Sequence, residues 1–199
     1  MLRDIRPAIV LLLMMTVLTG LAYPLAITGI AQAIFPNQAG GSLVLRAGKP
    51  VGSALIGQVF ADPRHFHGRP SATTATDPKD PTKTVPSPYN AASSGGSNLA
   101  PTAKALVDRV AEDAKALHAE APGTPIPADL LTTSASGLDP HISPAAALFQ
   151  IPRIAEARGM AEATLRALVA AHTETALLGL IGEDRVNVLA LNLDLDATR

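Results

Sequence analysis

The chain has 199 residues, enough for one ordinary domain with an appendage and too few for a large multidomain enzyme. Lys+Arg 16 against Asp+Glu 17 leave a formal net charge of -1, which supplies no positive field for phosphates and argues against a nucleic-acid partner. Hydrophobic residues reach 47% but aromatics only 3%, with no Trp, so stacking platforms are scarce, and Cys 0 removes disulfides, thiolate metal sites and a cysteine nucleophile.

The first element is apolar. Pro7 to Leu45 contains no Asp, Glu, Lys, Arg or His, and Ala8 to Ile34 is interrupted only by Thr, Gly, Tyr23, Pro24 and Gln32. About 20 helical residues cross a bilayer core of ~30 Å, so this stretch spans with tilt to spare. Pro24 is expected to kink its distal third or to cap a turn there, and Thr16, Thr19 and Gly20 form a small face suited to close helix packing. Arg3 and Arg6 on one side, with no charge on the other until Arg46, predict a short cytoplasmic N-terminus (residues 1–6), a transmembrane helix (7–35) and an extracytoplasmic region (36–199). The alternative is a cleavable signal peptide ending at Ala31-Gln32-Ala33, which would release an exported enzyme or metal-binding domain. Its apolar core would exceed the ~7 to 15 residues usual for a signal, so the span is preferred.

Beyond the helix the expected fold is an α+β domain on a single N-terminal transmembrane helix. Leu43-Val44-Leu45, then Ala54-Leu55-Ile56 with Val59-Phe60, read as short strands separated by Gly48-Lys49-Pro50 and Gly57-Gln58. Pro70 to Asn98 turns to Pro, Ser, Thr, Gly, Asn and Asp and reads as a long functional loop or mobile insertion without a core. A helix is expected from Leu99 or Pro101 to His118, with Asn98 as its N-cap and the stripe Ala103, Leu106, Val107, Val110, Ala114 and Leu117. Ser143-Pro144 opens a helix that Ile151-Pro152 should interrupt and Gly159 should cap, and another helix runs from Ala161 to Ala171. Val186 to Leu195 alternates like a half-buried strand, with the phase of Val186 and Val188 leaving a bulge or a helical start open.

Chemistry-bearing groups are sparse. His65 and His67 would lie on one side of a strand, with Asp62 and His141 as further ligands by type only, and with no second spaced pair they read as loop or strand-end histidines. Asp139, His141 and Ser143 have the residue types of a triad, but Ser134 and Ser136 lie in no nucleophile elbow, and turns and helix caps account for these residues better than a hydrolase does. Ser94-Gly95-Gly96-Ser97-Asn98 stands just before the expected helix, where free backbone N–H groups could hold an anion, yet it lacks the lysine of a phosphate-binding loop, and a turn with a cap is the simpler reading. One uncharged helix cannot line an ion path, so transport belongs to a partner.

Several words stand in a fixed order: Arg6-Pro7-Ala8, Tyr23-Pro24-Leu25, Gly52-Ser53-Ala54-Leu55-Ile56-Gly57-Gln58, Phe66-His67-Gly68-Arg69-Pro70-Ser71-Ala72, Tyr89-Asn90, Ser94 to Leu99, Ser134 to Asp139, Gln150-Ile151-Pro152-Arg153, Val186-Asn187-Val188 and Leu191-Asn192-Leu193. Together they resemble the C subunit of the Kdp potassium-transporting P-type ATPase over nearly the whole chain. The resemblance implies a single-span accessory subunit of the cell (inner) membrane, with no catalytic site and no cofactor of its own. ATP and potassium would be handled by an ATP-hydrolysing subunit and a potassium-pathway subunit of the same pump, with membrane lipid as the other partner. It also implies a catalytic chaperone that raises the ATP affinity of the hydrolysing subunit, with Ser94, Gly95, Gly96, Ser97 and Asn98 likened to a nucleotide-binding signature. The candidates for subunit contact are Thr16, Gly20, Tyr23 and Pro24 on the helix, and Arg69, Pro70, Ser71, Asn90, Gln150 and Arg153 beyond it. Thr73 to Pro88 is longer than the family usually has, and Ala190 stands where the family often has an acidic residue.

Overall fold

From Arg3 to Ile34 the backbone satisfies itself as a helix of 32 residues with mean hydropathy 2.1 and none of the window buried. At 1.5 Å per residue it is ~48 Å long, more than a ~30 Å hydrocarbon core. The computed structural model describes residues 2–198, in two compact units, Met1–Ser53 and Ala54–Arg199. Among the described residues this is the one helix long and apolar enough to cross a membrane.

The first unit consists of α1 (Leu2–Val17), a π-helical turn (Leu18–Ala22), α2 (Tyr23–Ile34), α3 (Pro36–Ala39) and the strands β1 (Leu43–Arg46) and β2 (Lys49–Ser53). Pro24 has no N–H to give the carbonyl four residues back, and the chain answers with a wide turn in which the Tyr23 N–H reaches Leu18 O. Thr19 Oγ1 donates to Met15 O at 2.7 Å in the same stretch. The irregularity expected at Pro24 therefore lies in the turn before it, and the helix continues. Strands β1 and β2 form an antiparallel hairpin whose tip places Ala47 (φ 50°) and Gly48 (φ 75°) in the left-handed region that a two-residue turn demands. The expected strand at Ala54 is thus corrected: the turn is Ala47-Gly48, and the returning strand starts at Lys49. The register shifts between Val44 and Leu45, beside Pro50, which cannot donate to a ladder.

The second unit holds β3 (Thr74–Thr76), β4 (Thr84–Pro86), α4 (Lys104–Glu120), β5 (His141–Ile142), α5 (Pro144–Arg158), α6 (Glu162–Ala171), β6 (Thr173–Glu174), β7 (Arg185–Asn187) and α7 (Val188–Ala197). An antiparallel sheet in the order β5-β7-β6 and the helices α5, α6 and α7 enclose the core, in which Phe66, Ile151, Ile154, Leu165, Leu191 and Leu195 are fully buried. The polar stretch after Pro70 has no apolar core of its own, but β3 and β4 pair as a hairpin inside it, and Thr73 is buried.

Helices α4 and α7 also differ from the sequence reading. Helix α4 starts at Lys104 rather than at Leu99 or Pro101, because Asn98 adopts φ 49° and Ala103 N closes a turn on Ala100 O at 2.9 Å. Its stripe is half-buried except at Val107, which is exposed, and no residue of it is fully covered. The tail is helical from Val188, not a strand to Leu195. Its apolar residues satisfy both periods, since Val188, Leu191 and Leu195 also repeat at three and four. The choice falls to Asn187, whose Oδ1 accepts from Ala190 N at 3.0 Å and opens the helix.

Helix α5 follows expectation at both ends and departs in the middle. Ser143 Oγ accepts from Ala146 N at 3.0 Å and Gly159 takes the left-handed C-terminal position at φ 64°. Pro152 does not interrupt it, and its side chain lies on the exposed face. Asp129 Oδ2 and Oδ1 in turn accept from Ser143 N and Oγ at 2.7 and 3.1 Å, so the cap is itself held. Ser143→Ala is expected to lower unfolding stability by about 1 kcal/mol, read as a drop in denaturant midpoint at unchanged slope.

Candidate functional site

Asp62 to Pro70 belongs to no strand, so its backbone groups need partners from elsewhere. Two side-chain amides supply them. Phe66 N–H donates to Asn192 Oδ1 at 2.8 Å while Asn192 Nδ2 donates to Phe66 O at 2.8 Å. One residue on, His67 N–H donates to Gln150 Oε1 at 2.7 Å, and Gln150 Nε2 donates to His67 O at 3.1 Å. Each amide thus plays the part of a neighbouring strand, one from α7 and one from α5. Guanidinium groups extend the clamp: Arg153 donates to Pro63 O and pairs with Glu120 at 3.2 Å, and Arg158 Nε donates to Arg64 O at 2.6 Å.

This geometry separates the two histidines. His65 Nε2 meets Asp196 Oδ1 at 3.0 Å, whereas His67 Nε2 faces Asp62 O at 3.0 Å, an acceptor that assigns the proton to that nitrogen. The strand expected to align their rings is absent, and among the described residues no three His, Asp or Glu gather as a metal-holding group. Burial, with Arg153 nearby, pushes the His67 imidazole below its usual range. Burial also lowers Arg153, against the opposing pull of Glu120.

From Arg69 onward the loops interlock. Arg69 Nη1 donates to Asp139 Oδ2 at 3.1 Å and Nη2 to Thr132 Oγ1 at 3.4 Å. Ser71 Oγ donates to Gly137 O at 2.7 Å and accepts from Tyr89 N at 3.0 Å. Asn90 N donates to Thr73 Oγ1 at 3.0 Å, and Asn90 Nδ2 donates to Thr74 O at 2.8 Å. Tyr89 lies across Gly57 and Gly68: a methyl on either would collide with its ring or hydroxyl, and one on Gly57 would also come within 2.7 Å of Asp139 O. Of the contact candidates, Arg69, Ser71 and Asn90 are thus tied into one set of interlocked loops, with Pro70 half-buried between, while Gln150 and Arg153 grip the segment just before. A cleft of about 590 Å³ opens beside Arg69, lined by Leu55, Ile56, Ser134, Ser136 and Leu138.

Ser94 to Asn98 joins the same face but not a helix end, because α4 begins at Lys104. Ser94 Oγ and Gly95 N both donate to Ser136 O, at 3.1 and 2.8 Å. Gly96 rests against Ala135, Ser97 is half-buried, and Asn98 is exposed. Thr16, Gly20, Tyr23 and Pro24 lie on the long helix, all exposed, with open space beside Gly20.

The triad types do not form a relay. Ser143 Oγ donates to Asp129, and His141 Nδ1 stands 3.4 Å from Asp139. A hydrogen bond from His141, opposed by burial and helped by Arg69, holds the Asp139 carboxyl below the usual range. Burial and the nearby Asp139 charge push the Tyr89 phenol up to about 12. Tyr89 OH donates to Arg69 O at 2.6 Å, which needs the neutral form. Since the folded value lies above the ordinary 10, the stability that Tyr89 lends is complete below pH 10 and is lost as pH rises towards 12. The gap in denaturant midpoint between the parent chain and Tyr89→Phe should narrow as pH rises from about 10 to about 12.

Sequence reasoning missed Asn192 as a positioning residue. Its signal was a lone amide among the leucines of the stretch Leu189 to Leu195, where a polar group survives burial only with partners. Asn187 was missed likewise: besides capping α7 it donates from Nδ2 to Ala54 O at 2.9 Å.

The chain is thus an α+β unit with a pinned polar loop face, joined to one long apolar helix. It belongs to the KdpC family, whose model, described as K+-transporting ATPase, c chain, matches residues 5–197. A potassium-transporting ATPase KdpC subunit of Rhodopseudomonas palustris is 65% identical over 199 residues, covering 100% of both chains. Proteins of the same name from Bradyrhizobium diazoefficiens and Methylobacterium nodulans are 66% and 65% identical over 196 residues, 98% of each chain.

Proposed function

We propose that this chain is an accessory subunit of an ATP-driven potassium uptake complex, which it assembles and stabilises. Similarity along its full length to proteins named as potassium-transporting ATPase KdpC subunits carries this reading. The helix Leu2–Ile34 holds it in the cell membrane with the N-terminus cytoplasmic, by the excess of Arg3 and Arg6 on that side. Thr16, Gly20, Tyr23 and Pro24 pack on a partner's helices, and the pinned loops around Arg69, Pro70, Ser71 and Asn90 meet the partner outside. Gln150 and Arg153 act at that contact by fixing the backbone of Pro63 to His67. Potassium passes through one partner and ATP is hydrolysed by another. A chaperone effect on ATP affinity then travels through the partner subunits, since this orientation puts Ser94 to Asn98 away from cytosolic ATP.

The test is a pull-down of the tagged chain from mild detergent after expression with the neighbouring chains of its pump. Recovery of a multi-span chain and an ATP-hydrolysing chain, with potassium-stimulated ATPase activity whose apparent ATP affinity falls when this chain is left out, is the expected result. Recovery of this chain alone, cut after Ala33 and soluble without detergent, would overturn it.

A further inference from the structure

Between β6 and β7 the chain makes an excursion that neither the core nor the loop face uses. Leu177, Leu178, Leu180 and Ile181 are 65%, 84%, 87% and 65% exposed, and the middle two are barer than any large apolar residue of the long helix, where Leu25 reaches 68%. Single exposed leucines are ordinary, but four large aliphatic residues within five positions at this exposure mark an interaction site.

The excursion has a defined shape. Leu177 and Ile181 bridge with N–H donors on both sides, at 2.9 and 3.1 Å, and Gly179 N closes on Ala176 O at 2.9 Å. Leu178 and Gly179 take positive φ (56° and 68°), which turns the two central leucines outward, and Asp184 Oδ1 accepts from Ala176 N at 2.9 Å to fasten the base. The tip is preorganised, so docking it costs little ordering.

Charge around the base selects the occupant. Glu174, Glu183 and Asp184 stand against one cation, Arg185, which is paired with Glu174 at 3.0 Å. A lipid surface is disfavoured, because phosphate headgroups repel this collar and no Lys, Trp or Tyr stands between 173 and 185 to anchor it. A second copy is disfavoured too, since a two-fold contact between tips would appose two acidic collars. We propose that the Leu177–Ile181 tip is a plug that seats in an apolar pocket with a basic rim on a partner polypeptide of the pump. The plug rests on the accessory-subunit reading and adds to it the contact that holds the α+β unit in place. Because β7 leads directly into α7, a seated tip is tied through the six residues Gly182 to Asn187 to the helix that carries the Asn192 clamp.

The experiment uses the full chain expressed with the other chains of its pump. Leu178→Ser with Leu180→Ser touches only exposed side chains, so the melting temperature of the isolated chain in detergent should not move. Recovery of the partner chains should fall about tenfold, the scale of losing central apolar anchors. Glu183→Lys should weaken recovery as well, and raised salt should reduce the difference between it and the parent. A photo-cross-linking residue placed at 178 should join this chain to one partner polypeptide. Undiminished recovery with the double variant, or cross-links only to lipid or to a second copy, would overturn the plug while the assembly reading stands. Failure of the parent chain itself to recover any partner would overturn both.

Discussion

Phe66→Ala should be the most damaging single truncation in the chain, lowering stability by about 3–5 kcal/mol. The side chain is 0% exposed and belongs to the same core cluster as Ile151, Leu191 and Leu195. It is the one residue of the strandless Asp62 to Pro70 segment that reaches that core fully, so its removal leaves a cavity and takes away the segment's apolar anchor, with only the backbone clamps from α7 and α5 remaining. A domain of this size has only about 5–15 kcal/mol in hand, so the loss takes a large share of the total. A fall in melting temperature of roughly 10 °C for the detergent-solubilised chain is the expected readout. A shift below a few degrees would show that the segment is held by its backbone clamps alone. Phe66→Leu, which keeps much of the apolar volume, should recover most of the loss.

What was legible in the sequence follows the strength of each local signal. The long helix was plain because Ala8 to Ile34 is long, apolar and free of charge, and α5 was plain because Ser143, Pro144 and Gly159 sign both of its ends. The tail was ambiguous because Leu189, Leu191, Leu193 and Leu195 fit a period of two while Val188, Leu191 and Leu195 fit a helical stripe, and a single capping bond from Asn187 decides between them. The start of α4 was misplaced since Asn98 resembles a cap by type, whereas an asparagine also tolerates the left-handed backbone it adopts here, which opens no helix. The loop face was legible as a set of words and not as a place. Nothing in the spacing of Tyr89, Gly57 and Asp139 says that a phenol ring will fill the space beside a glycine 32 positions away. Gln150 and Arg153 were singled out as contact residues, yet their side chains spend most of their polar atoms on Pro63 and His67. Substituting them should therefore disturb the contact through the backbone they hold.

Asn192→Leu should cost about 2–4 kcal/mol although it swaps a polar group for an apolar one inside a hydrophobic core. Burying more hydrocarbon favours the change, but Phe66 N–H and Phe66 O would both lose their only amide partner in a place that water does not reach, and each orphaned group costs about 1–3 kcal/mol. The unpaired groups win because there are two of them and one side chain serves both. Asn192→Asp separates this account from a simple packing defect. A carboxylate still accepts from Phe66 N–H, but it cannot donate to Phe66 O and it places a charge in a site where Asn192 is 1% exposed. A protonated carboxyl can do both tasks. Its folded pKa is therefore raised, and the stability it lends is present at low pH and lost as pH rises through that value. The deficit of Asn192→Asp relative to the parent chain should shrink as pH falls from about 8 to about 5, while that of Asn192→Leu stays constant. Denaturant midpoints for the three chains across that range give the answer. A pH-independent gap for the Asp variant would mean that packing around Asn192, and not its paired hydrogen bonds, holds Phe66 in place.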